Sequence, residues 1–450
     1  TLQLRATMSA IRHPCLIVGR CPSNFEGRNN KARNRGRGMY NITTTDIARK
    51  QSKKQDATVE ELKEPGKRRR PKKGEKRPGH TAECDAATLN GLHGRPLSRP
   101  KSRCIRVGLG HISRIHEQKL KALGVETVGV LERSAAKCAT ASSRGVTVLS
   151  GYREALEVKP DFWDVCTCTS THLSVLKEII ATDPHANVLM EKPVCALSEI
   201  AALKRLLGNF HGKLVVNENY AASRVTRTVR EQAGRLIPQP SRVISEMTKN
   251  RARDIIGGRF LDQEQYAFGY EGTHMLTNVL ALGDDFRPRE TSCQSHEDMH
   301  IEDGGWGHAS PPLPLLGQGA AEKRYVARNG AQVILHTAMD GHIGYFYPGP
   351  YSRAYIPDDD DRTRYRILAV EDECRGIAVI GFYEPIPGLE RNRGKVVILD
   401  KGGIREQIDD IYDDTMLGAL ESALRFFEGD APNPYPAVRA IDSLEILTLW

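Results

Sequence analysis

Short apolar runs alternate with segments of helical periodicity from about position 104 onward. The first run contains Ile105, Val107 and Leu109, and a glycine-containing turn leads from it into an amphipathic segment that ends near Leu123. Further apolar runs lie at 127–131, 146–149, 165–168, 187–190 and 213–216, with helical segments at 152–158, 173–182 and 197–207. Strands that alternate with helices in this way predict a parallel, doubly wound sheet.

The pattern changes after Tyr220. Strand-like runs now dominate, and segments with helical periodicity lie at 224–236, 271–282 and 413–427. This order predicts an α+β domain with an open, mostly antiparallel sheet. Its predicted strands are 243–249, 332–337, 365–369, 377–382 and 395–399.

The first 100 residues differ in composition from the rest. They hold 23 Lys and Arg against 9 Asp and Glu, a net charge of +14, whereas residues 101–450 carry −5. Their basic runs are interrupted by glycine and proline and contain too few apolar residues to form a core. We expect a disordered basic tail. A nuclear localisation or nucleic-acid patch at 67–77, a transit peptide before position 45, and an artefact of gene-start assignment stay open as alternatives.

Hydropathy, charge and cysteine usage narrow the class of protein. No stretch approaches the roughly 18 uninterrupted apolar residues of a membrane helix, and no secretory signal is visible. Because the part after the tail is mildly acidic, we do not expect a nucleic-acid partner. The ten cysteines include no CxxC pair, and Cys166 and Cys168 lie in an apolar run. Reduced, buried thiols and a cytoplasmic location are therefore expected.

A glycine turn joins the first predicted strand to the first predicted helix. Gly108 permits the tight bend, Gly110 lets the backbone approach a phosphate, and Ser113 supplies the small side chain needed for close helix–strand packing. Glu132 follows the second strand, 22 positions after Gly110, where an acid can bind the ribose of a dinucleotide. Its carboxylate would repel a 2′-phosphate, so we favour NAD, while Arg133 leaves NADP open.

Polar residues follow the predicted strands of the first sheet. Parallel strands place their carboxyl ends at one edge, where ligands bind in open α/β sheets. We expect a site at this edge, formed by Thr169, Ser170, His172, Glu191, Lys192, Asn217, Glu218, Asn219 and Tyr220.

Five strings carry a family resemblance, in the order VGLGHISRIH, DVCTCTST, EKPVC, VVNENY and GTHMLTNVLALG. Over about 103–450, the chain resembles the Gfo/Idh/MocA oxidoreductases. The resemblance implies an α/β protein with an N-terminal Rossmann doubly wound parallel sheet, here at 101–219. It also implies a C-terminal α+β domain at 220–450, whose open, mostly antiparallel sheet carries substrate and oligomer contacts. The tail at 1–100 lies outside it.

The resemblance also implies roles for single residues. Lys192, in the EKP string, matches the family's catalytic lysine, and His274 matches a catalytic histidine of the second domain. Ser170 replaces the proline that usually follows the threonine at position 169. The residues expected to contact the cofactor are Gly108, Gly110, His111, Ile112, Ser113, Glu132, Arg133, Thr169, Ser170, His172, Glu191, Lys192 and Asn219.

Two departures leave the proton partner of His274 open. Family members often have aspartates four residues before and three residues after this histidine, where the chain has Tyr270 and Thr277. Tyr270 or Glu271 could take over that role. Together with Tyr220, these two residues are also candidates for contact with the substrate.

These residues predict an NAD(P)-dependent dehydrogenase or reductase acting on CH–OH groups. Hydride transfer needs a group that handles the hydroxyl proton and a donor that stabilises the developing alkoxide, and Lys192 and His274 can supply both. We expect a sugar, a sugar derivative or a cyclitol as substrate, and a homo-oligomer formed through the C-terminal sheet. An NAD-dependent glycosidase without net redox change and a catalytically silent NAD-binding or regulatory protein stay open.

A competing zinc motif lies in the second half of the chain. The string at 296–300 matches HExxH, which binds zinc when it lies on a helix. Its flanks do not favour a helix, and glycines follow at 304 and 305. We interpret the string as a polar strand or loop and predict no metal site. The acidic run at 358–361 lacks the spacing of a calcium loop and is interpreted as a solvated loop.

Overall fold

A five-stranded parallel sheet forms the first half of the folded chain. The structure is a computed structural model that describes residues 102–251, 254, 267–289, 301–302, 320–339, 341–351 and 364–449. The strands run in the spatial order β2-β1-β3-β4-β5, and every pairing is parallel. They are β1 (Arg103–Val107), β2 (Glu126–Leu131), β3 (Phe162–Val165), β4 (Asn187–Glu191) and β5 (Lys213–Asn217).

Helices cover both faces of this sheet, which is why its central strands are buried on both sides. Leu120 on one face and Leu176 on the other are among the residues packed into the two cores. The helices of this half are α1 (His111–Ala122), α2 (Ala135–Ser143), α3 (Tyr152–Glu157), α4 (Thr169–Thr182) and α5 (Ile200–Leu207).

The second half is built on an eight-stranded sheet with the order β13-β12-β11-β10-β6-β9-β8-β7. All the described pairings in it are antiparallel except β6 with β9, which is parallel. Both predicted sheet types are therefore confirmed. The strands are β6 (Arg242–Lys249), β7 (Ile301–Glu302), β8 (Ala320–Val326), β9 (Gln332–Ala338), β10 (Arg364–Asp372), β11 (Ile377–Phe382), β12 (Arg393–Asp400) and β13 (Gly403–Tyr412).

Two helices, α6 (Arg224–Leu236) and α7 (Ala267–Leu280), pack on the inner face of the second sheet. Val225 and Val229 of α6 join Leu368 and Val396 of the sheet in one core. Two later helices, α8 (Thr415–Phe427) and α9 (Ala437–Leu447), return to the first sheet. The division at 219/220 stays a prediction, but the packing of α8 and α9 shows that the first sheet needs residues from the far end of the chain.

The element boundaries differ from the pattern in a few places. The strand expected at 165–168 lies at Phe162–Val165, because Phe162 and Trp163 are buried and polar contacts begin at Cys166. The run at 146–149 makes only an isolated bridge, between Val148 and Val130. The sequence pattern does not predict β8 and β13, since consecutive polar residues, at 322–324 and 405–407, interrupt the alternation that marks a strand. The expectations for 1–100, 296–300 and 358–361 lie outside the described residues. No helix of the described part is long and apolar enough to cross a membrane.

Two glycines, one facing α6 and one within it, give matched stability predictions. A Cβ on Gly381 of β11 would lie 2.6 Å from Val229 Cγ2 and 2.8 Å from Val225 Cγ1, so Gly381→Ala should lower the free energy of unfolding by about 1–3 kcal/mol. Gly234, inside α6, has nothing within 4 Å of its Cβ position among the described residues, so Gly234→Ala should raise stability by about 0.5–1 kcal/mol. Urea unfolding measures both. Equal changes in the two variants would contradict this packing of α6 on the sheet.

Candidate functional site

The turn after β1 has the geometry of a phosphate-binding turn. Gly108 has φ +91°, and a Cβ there would lie 2.9 Å from Thr167 Cγ2 and 3.1 Å from the Cys166 carbonyl oxygen. Only glycine fits that position without strain. Gly110 begins α1, and a Cβ there would meet nothing closer than 3.8 Å among the described residues. The space beside Gly110 is therefore open to a ligand that approaches the backbone.

Glu132 is held rigidly at the end of β2. Its carboxylate accepts hydrogen bonds from the backbone N–H groups of Leu109, at 2.8 Å, and Ser134, at 2.9 Å. Partial burial opposes ionisation, but these two bonds and the nearby Lys137 ammonium hold the pKa of Glu132 below its ordinary value. The carboxylate is thus charged at neutral pH and lies directly beside the glycine turn.

The residues around this turn fit a dinucleotide. The Thr167 hydroxyl, next to Gly108, is buried without a hydrogen-bond partner among the described residues. The N-terminus of α1 carries no side-chain cap from the described part of the chain, so its backbone N–H groups can meet a pyrophosphate. Thr169 and Ser170 begin α4 on the far side of the turn. Ser113 is buried and its hydroxyl donates to the Gly110 carbonyl at 2.8 Å, which stabilises the first turn of α1.

Lys192 lies directly after β4 and joins the two halves of the chain. Its ammonium group donates to the backbone carbonyl of Tyr270, at 2.7 Å. Tyr270 lies on α7, one helical turn before His274. The lysine of the first sheet and the histidine of the second half therefore meet in one site.

His274 has a buried carboxylate partner that follows β5. Its Nδ1 is hydrogen-bonded to a Glu218 carboxylate oxygen, and the ring lies 4.9 Å from that of Tyr220. Burial lowers the pKa of His274, and the nearby Lys192 charge lowers it further, against the opposing effect of Glu218. The imidazole is therefore neutral near pH 7 and can accept a proton.

Glu271 is committed to ion pairs rather than to His274. Its carboxylate accepts from Arg251 Nη2 at 2.5 Å and from Arg366 Nη2 at 3.2 Å. Burial opposes its ionisation, but Arg366 and Arg251 outweigh burial and hold the pKa of Glu271 well below its usual value. A carboxylate with such a low pKa is a poor base at neutral pH. Arg366 also donates to the Tyr220 hydroxyl, at 2.6 Å.

A second polar cluster lies beneath the site, between α1 and the strand ends. His116 is fully buried, with Nδ1 2.7 Å from an Asp164 oxygen and Nε2 2.9 Å from a Glu191 oxygen. Asp164 also accepts from Arg106 Nε at 2.9 Å, and Glu191 accepts from Asn217 Nδ2 at 2.5 Å. We call these five residues the buried network.

The charges of the buried network compensate one another. Burial opposes the charged forms, but the contact with Cys166 Sγ and the Asp164 carboxylate raise the pKa of His116 well above its usual value, and His116 and Arg106 lower that of Asp164 to about 2. Two positive groups therefore face the two carboxylates of Asp164 and Glu191. Without that balance, each buried charge would cost several kcal/mol.

His116, Asp164 and Cys166 lie close enough to hold a metal ion, since their ligand atoms lie within 4.8 Å of one another. Burial raises the pKa of the Cys166 thiol to about 12, so the thiolate that a metal needs is scarce at neutral pH. Arg106 donates a hydrogen bond to the other oxygen of Asp164. The cluster is better explained as a hydrogen-bonded network.

The first domain matches a known family. Residues 102–217 match the Gfo/Idh/MocA family, described as an oxidoreductase family with an NAD-binding Rossmann fold. The matched segment is therefore an NAD-binding domain of the Gfo/Idh/MocA type. The resemblance drawn from the sequence is confirmed, as are its coarser implications of an NAD-binding domain and an oxidoreductase. No curated protein matches the chain.

Solved structures share the fold over most of the chain. One is UDP-N-acetylglucosamine 3-dehydrogenase GnnA from Acidithiobacillus ferrooxidans, with 18% identity, TM-score 0.55, and coverage of 78% of this chain and 96% of that one. Another is an oxidoreductase from Agrobacterium radiobacter in complex with NAD+, L-tartaric acid and magnesium, with 13% identity, TM-score 0.54, and coverage of 77% and 94%. An oxidoreductase from Sinorhizobium meliloti has 14% identity, TM-score 0.54, and coverage of 77% and 95%. At these identities the likeness shows the fold alone.

The residues expected at the site from the sequence fall into three groups in the structure. Lys192, His274, Tyr220, Tyr270 and Glu271 lie together. The phosphate-turn residues lie beside Glu132, with His111 and Arg133 exposed and Ile112 partly buried. Three expected cofactor contacts are engaged elsewhere. His172 is hydrogen-bonded to the backbone carbonyls of Pro193, at 2.7 Å, and Thr167, at 3.1 Å. Glu191 lies in the buried network, and Asn219 donates to Thr415 Oγ1 at 2.6 Å. Cofactor contact by these three stays a prediction.

Sequence reasoning misses several partners in this site. Glu218 is expected at the strand edge but not as the partner of His274. Arg366 lies within a predicted apolar strand. The alternation of β10 could have indicated its position, because the Arg366 side chain faces the opposite way from those of Tyr365 and Ile367. The position of His116, three residues after Ser113, carries no signal that separates it from a surface histidine.

The raised pKa of His116 gives a prediction for stability. An unfolded histidine titrates near 6.5, so the stability that the charged imidazole contributes is complete below pH 6.5 and is lost as pH rises toward its folded pKa. His116→Gln should remove this contribution. The difference in free energy of unfolding between wild type and His116→Gln should therefore shrink by up to about 1.4 kcal/mol per pH unit above 6.5.

Urea unfolding at several pH values between 6 and 9 measures that difference. His185→Gln, at an exposed histidine, is the matched control and should leave the slope unchanged. A difference that is flat across this range, or one that grows, would contradict a charged His116 in the folded protein.

Proposed function

We propose that the protein is an NAD-dependent dehydrogenase or reductase that moves hydride between nicotinamide and a CH–OH or keto carbon of a sugar, a sugar derivative or a cyclitol. The observation that carries this proposal is the meeting of Lys192 with the His274–Glu218 pair at the edge where the glycine turn lies. One group is a cation, the other is a neutral base with a carboxylate behind it, and alcohol oxidation needs both.

The roles follow from the contacts. In the oxidation direction, the substrate hydroxyl loses its proton to His274 Nε2, since Nδ1 is engaged by Glu218. The Lys192 ammonium stabilises the negative charge that develops on the substrate oxygen. Bound NAD+ would supply the hydride acceptor, so that an alcohol would become a ketone with formation of NADH. Glu218 keeps the imidazole oriented and stabilises its protonated form.

Cofactor and substrate class are supported by separate observations. The charged Glu132 carboxylate beside the turn favours a ribose 2′-hydroxyl over a 2′-phosphate, which supports NAD. The residues that would hold NAD are the backbone of the turn at 108–113, with Glu132 at the ribose. A sugar substrate is supported by the likeness of the fold to a UDP-sugar dehydrogenase. Assembly of copies through the second sheet stays a prediction.

The test is a screen of cofactor reduction with NAD and with NADP across a panel of neutral and acidic sugars and cyclitols. Wild type should form NADH, and Lys192→Ala should lower kcat by a factor of about 10²–10⁴, the range expected when an acid–base or electrostatic group is removed. Lys177→Ala is the control, because Lys177 is exposed on α4. Equal rates for Lys192→Ala and wild type would refute the assignment.

The same screen separates the two alternative functions. Turnover of a glycoside without net NADH formation would favour the glycosidase. Tight NAD binding without any turnover, unchanged in Lys192→Ala, would favour a silent NAD-binding protein.

The lowered pKa of His274 predicts the pH dependence of oxidation. Because the neutral imidazole is the base, kcat/KM should fall on the acid side with an apparent pKa below the ordinary value of 6.5. The Glu218 charge raises the pKa of His274, so Glu218→Gln should move the acid limb to still lower pH and should also reduce kcat by misorienting the ring. Rates measured from pH 4.5 to 8 test this. A limb that moves to higher pH in Glu218→Gln would refute the pairing.

A further inference from the structure

Two arginines of β10, Arg364 and Arg366, lie next to the site. Only one of them has hydrogen-bond and ion-pair partners among the described residues. Arg364 and Arg366 are alternate residues of β10, so both side chains leave the same face of the sheet. Arg366 is fully engaged with Tyr220 and Glu271. The Arg364 side chain makes no hydrogen bond or ion pair with any residue that the structure describes, and its Nε is buried without an acceptor.

The surroundings of Arg364 are electrostatically unfavourable in the absence of a ligand. The positive charge of Arg366 lowers the pKa of Arg364, and burial lowers it further. Glu271 is near but is already shared by Arg366 and Arg251. Glu384 also lies near, but its carboxylate accepts the Asn392 N–H at 2.7 Å. Within the described part of the chain, neither carboxylate forms an ion pair with Arg364.

Arg364 lies close to the reacting groups. It lies two residues from Arg366 on the same face of β10, and Arg366 donates to the hydroxyl of Tyr220, whose ring packs 4.9 Å from that of His274. Lys192 contributes a further positive charge near Glu271 and His274. A substrate held between Lys192 and His274 would therefore have this guanidinium group beside it.

We propose that the substrate carries an oxyanion, a carboxylate or a phosphate, which Arg364 binds. The Arg364 side chain is partly exposed, so an anion can reach it, and its Nε–H is buried without an acceptor among the described residues. The hydroxyl groups of a neutral sugar can accept hydrogen bonds from it but cannot neutralise its charge. A carboxylate or a phosphate can pair with the fork of an arginine through two bonds. This inference rests on the proposed function for the location of the substrate, and it narrows the substrate from any sugar to an acidic one.

Equilibrium binding tests the inference without turnover. The probes are D-glucose, D-glucuronate and D-glucose 6-phosphate, added to the NAD-loaded full chain, with inorganic phosphate as a probe that is independent of sugar stereochemistry. At least one anionic sugar should bind about tenfold or more tightly than glucose, which corresponds to about 1.4 kcal/mol. The better of glucuronate and glucose 6-phosphate identifies the oxyanion. Arg364→Gln should abolish the difference, and Arg153→Gln, at an exposed arginine of α3, should keep it.

Thermal stability gives an independent readout. Without ligand, Arg364→Gln should have the same Tm as wild type or a higher one, because the substitution removes repulsion with Arg366. Inorganic phosphate should raise the Tm of wild type relative to chloride at equal ionic strength, and should not raise that of Arg364→Gln. Lys192→Ala should still respond to phosphate, so a failure of the catalytic assignment is distinguishable from a failure here. Anion binding that survives in Arg364→Gln, or a lower Tm of that variant without ligand, would overturn the inference.

Discussion

The hydrogen bond between Asn217 and Glu191 holds the ends of two neighbouring strands together, and the site depends on it. The two residues are partners in the register of β4 and β5, and each is the last residue of its strand. Their side chains turn toward His116 under α1. Because successive residues of a strand face opposite ways, the next residues, Lys192 and Glu218, can reach α7. One interior contact thereby places both the cation and the carboxylate of the site.

That arrangement explains why charges are tolerated in the middle of a folded domain. Arg106, Asp164, His116 and Glu191 are almost fully buried, and replacing such a set by apolar residues is often neutral or stabilising. An apolar set, however, would not fix the direction of the strand ends, since apolar contacts are not directional. The hydrogen bonds of the buried network specify where each strand stops. The buried network therefore matters more for positioning the strand ends than for the stability of the domain.

Local patterns predict the first sheet, the glycine turn, Glu132 and the place of Lys192, because each depends on residues close together in the sequence. The Glu218–His274 pair spans 56 residues and the Arg366–Glu271 pair spans 95, and no periodicity links such positions. The same reason explains Phe162–Val165. Phe162 is covered by Phe427 of α8, whose ring stacks on it at 5.6 Å, and that residue lies far along the chain. The sequence thus predicts motifs formed by neighbouring residues, but it does not predict which distant residues pair in the folded site.

The substitution of aspartates by Tyr270 and Thr277 changes which part of the chain supplies the negative charge. Thr277 bonds the Tyr435 hydroxyl at 2.9 Å, and Tyr270 offers its backbone carbonyl to Lys192, so neither can replace a carboxylate. Glu271, on the same helix, is neutralised by arginines from the second half. The remaining carboxylate, Glu218, comes from the first sheet. The charge that orients His274 therefore belongs to the cofactor-binding half, and the proposed proton chemistry requires that α7 be packed against the ends of β4 and β5.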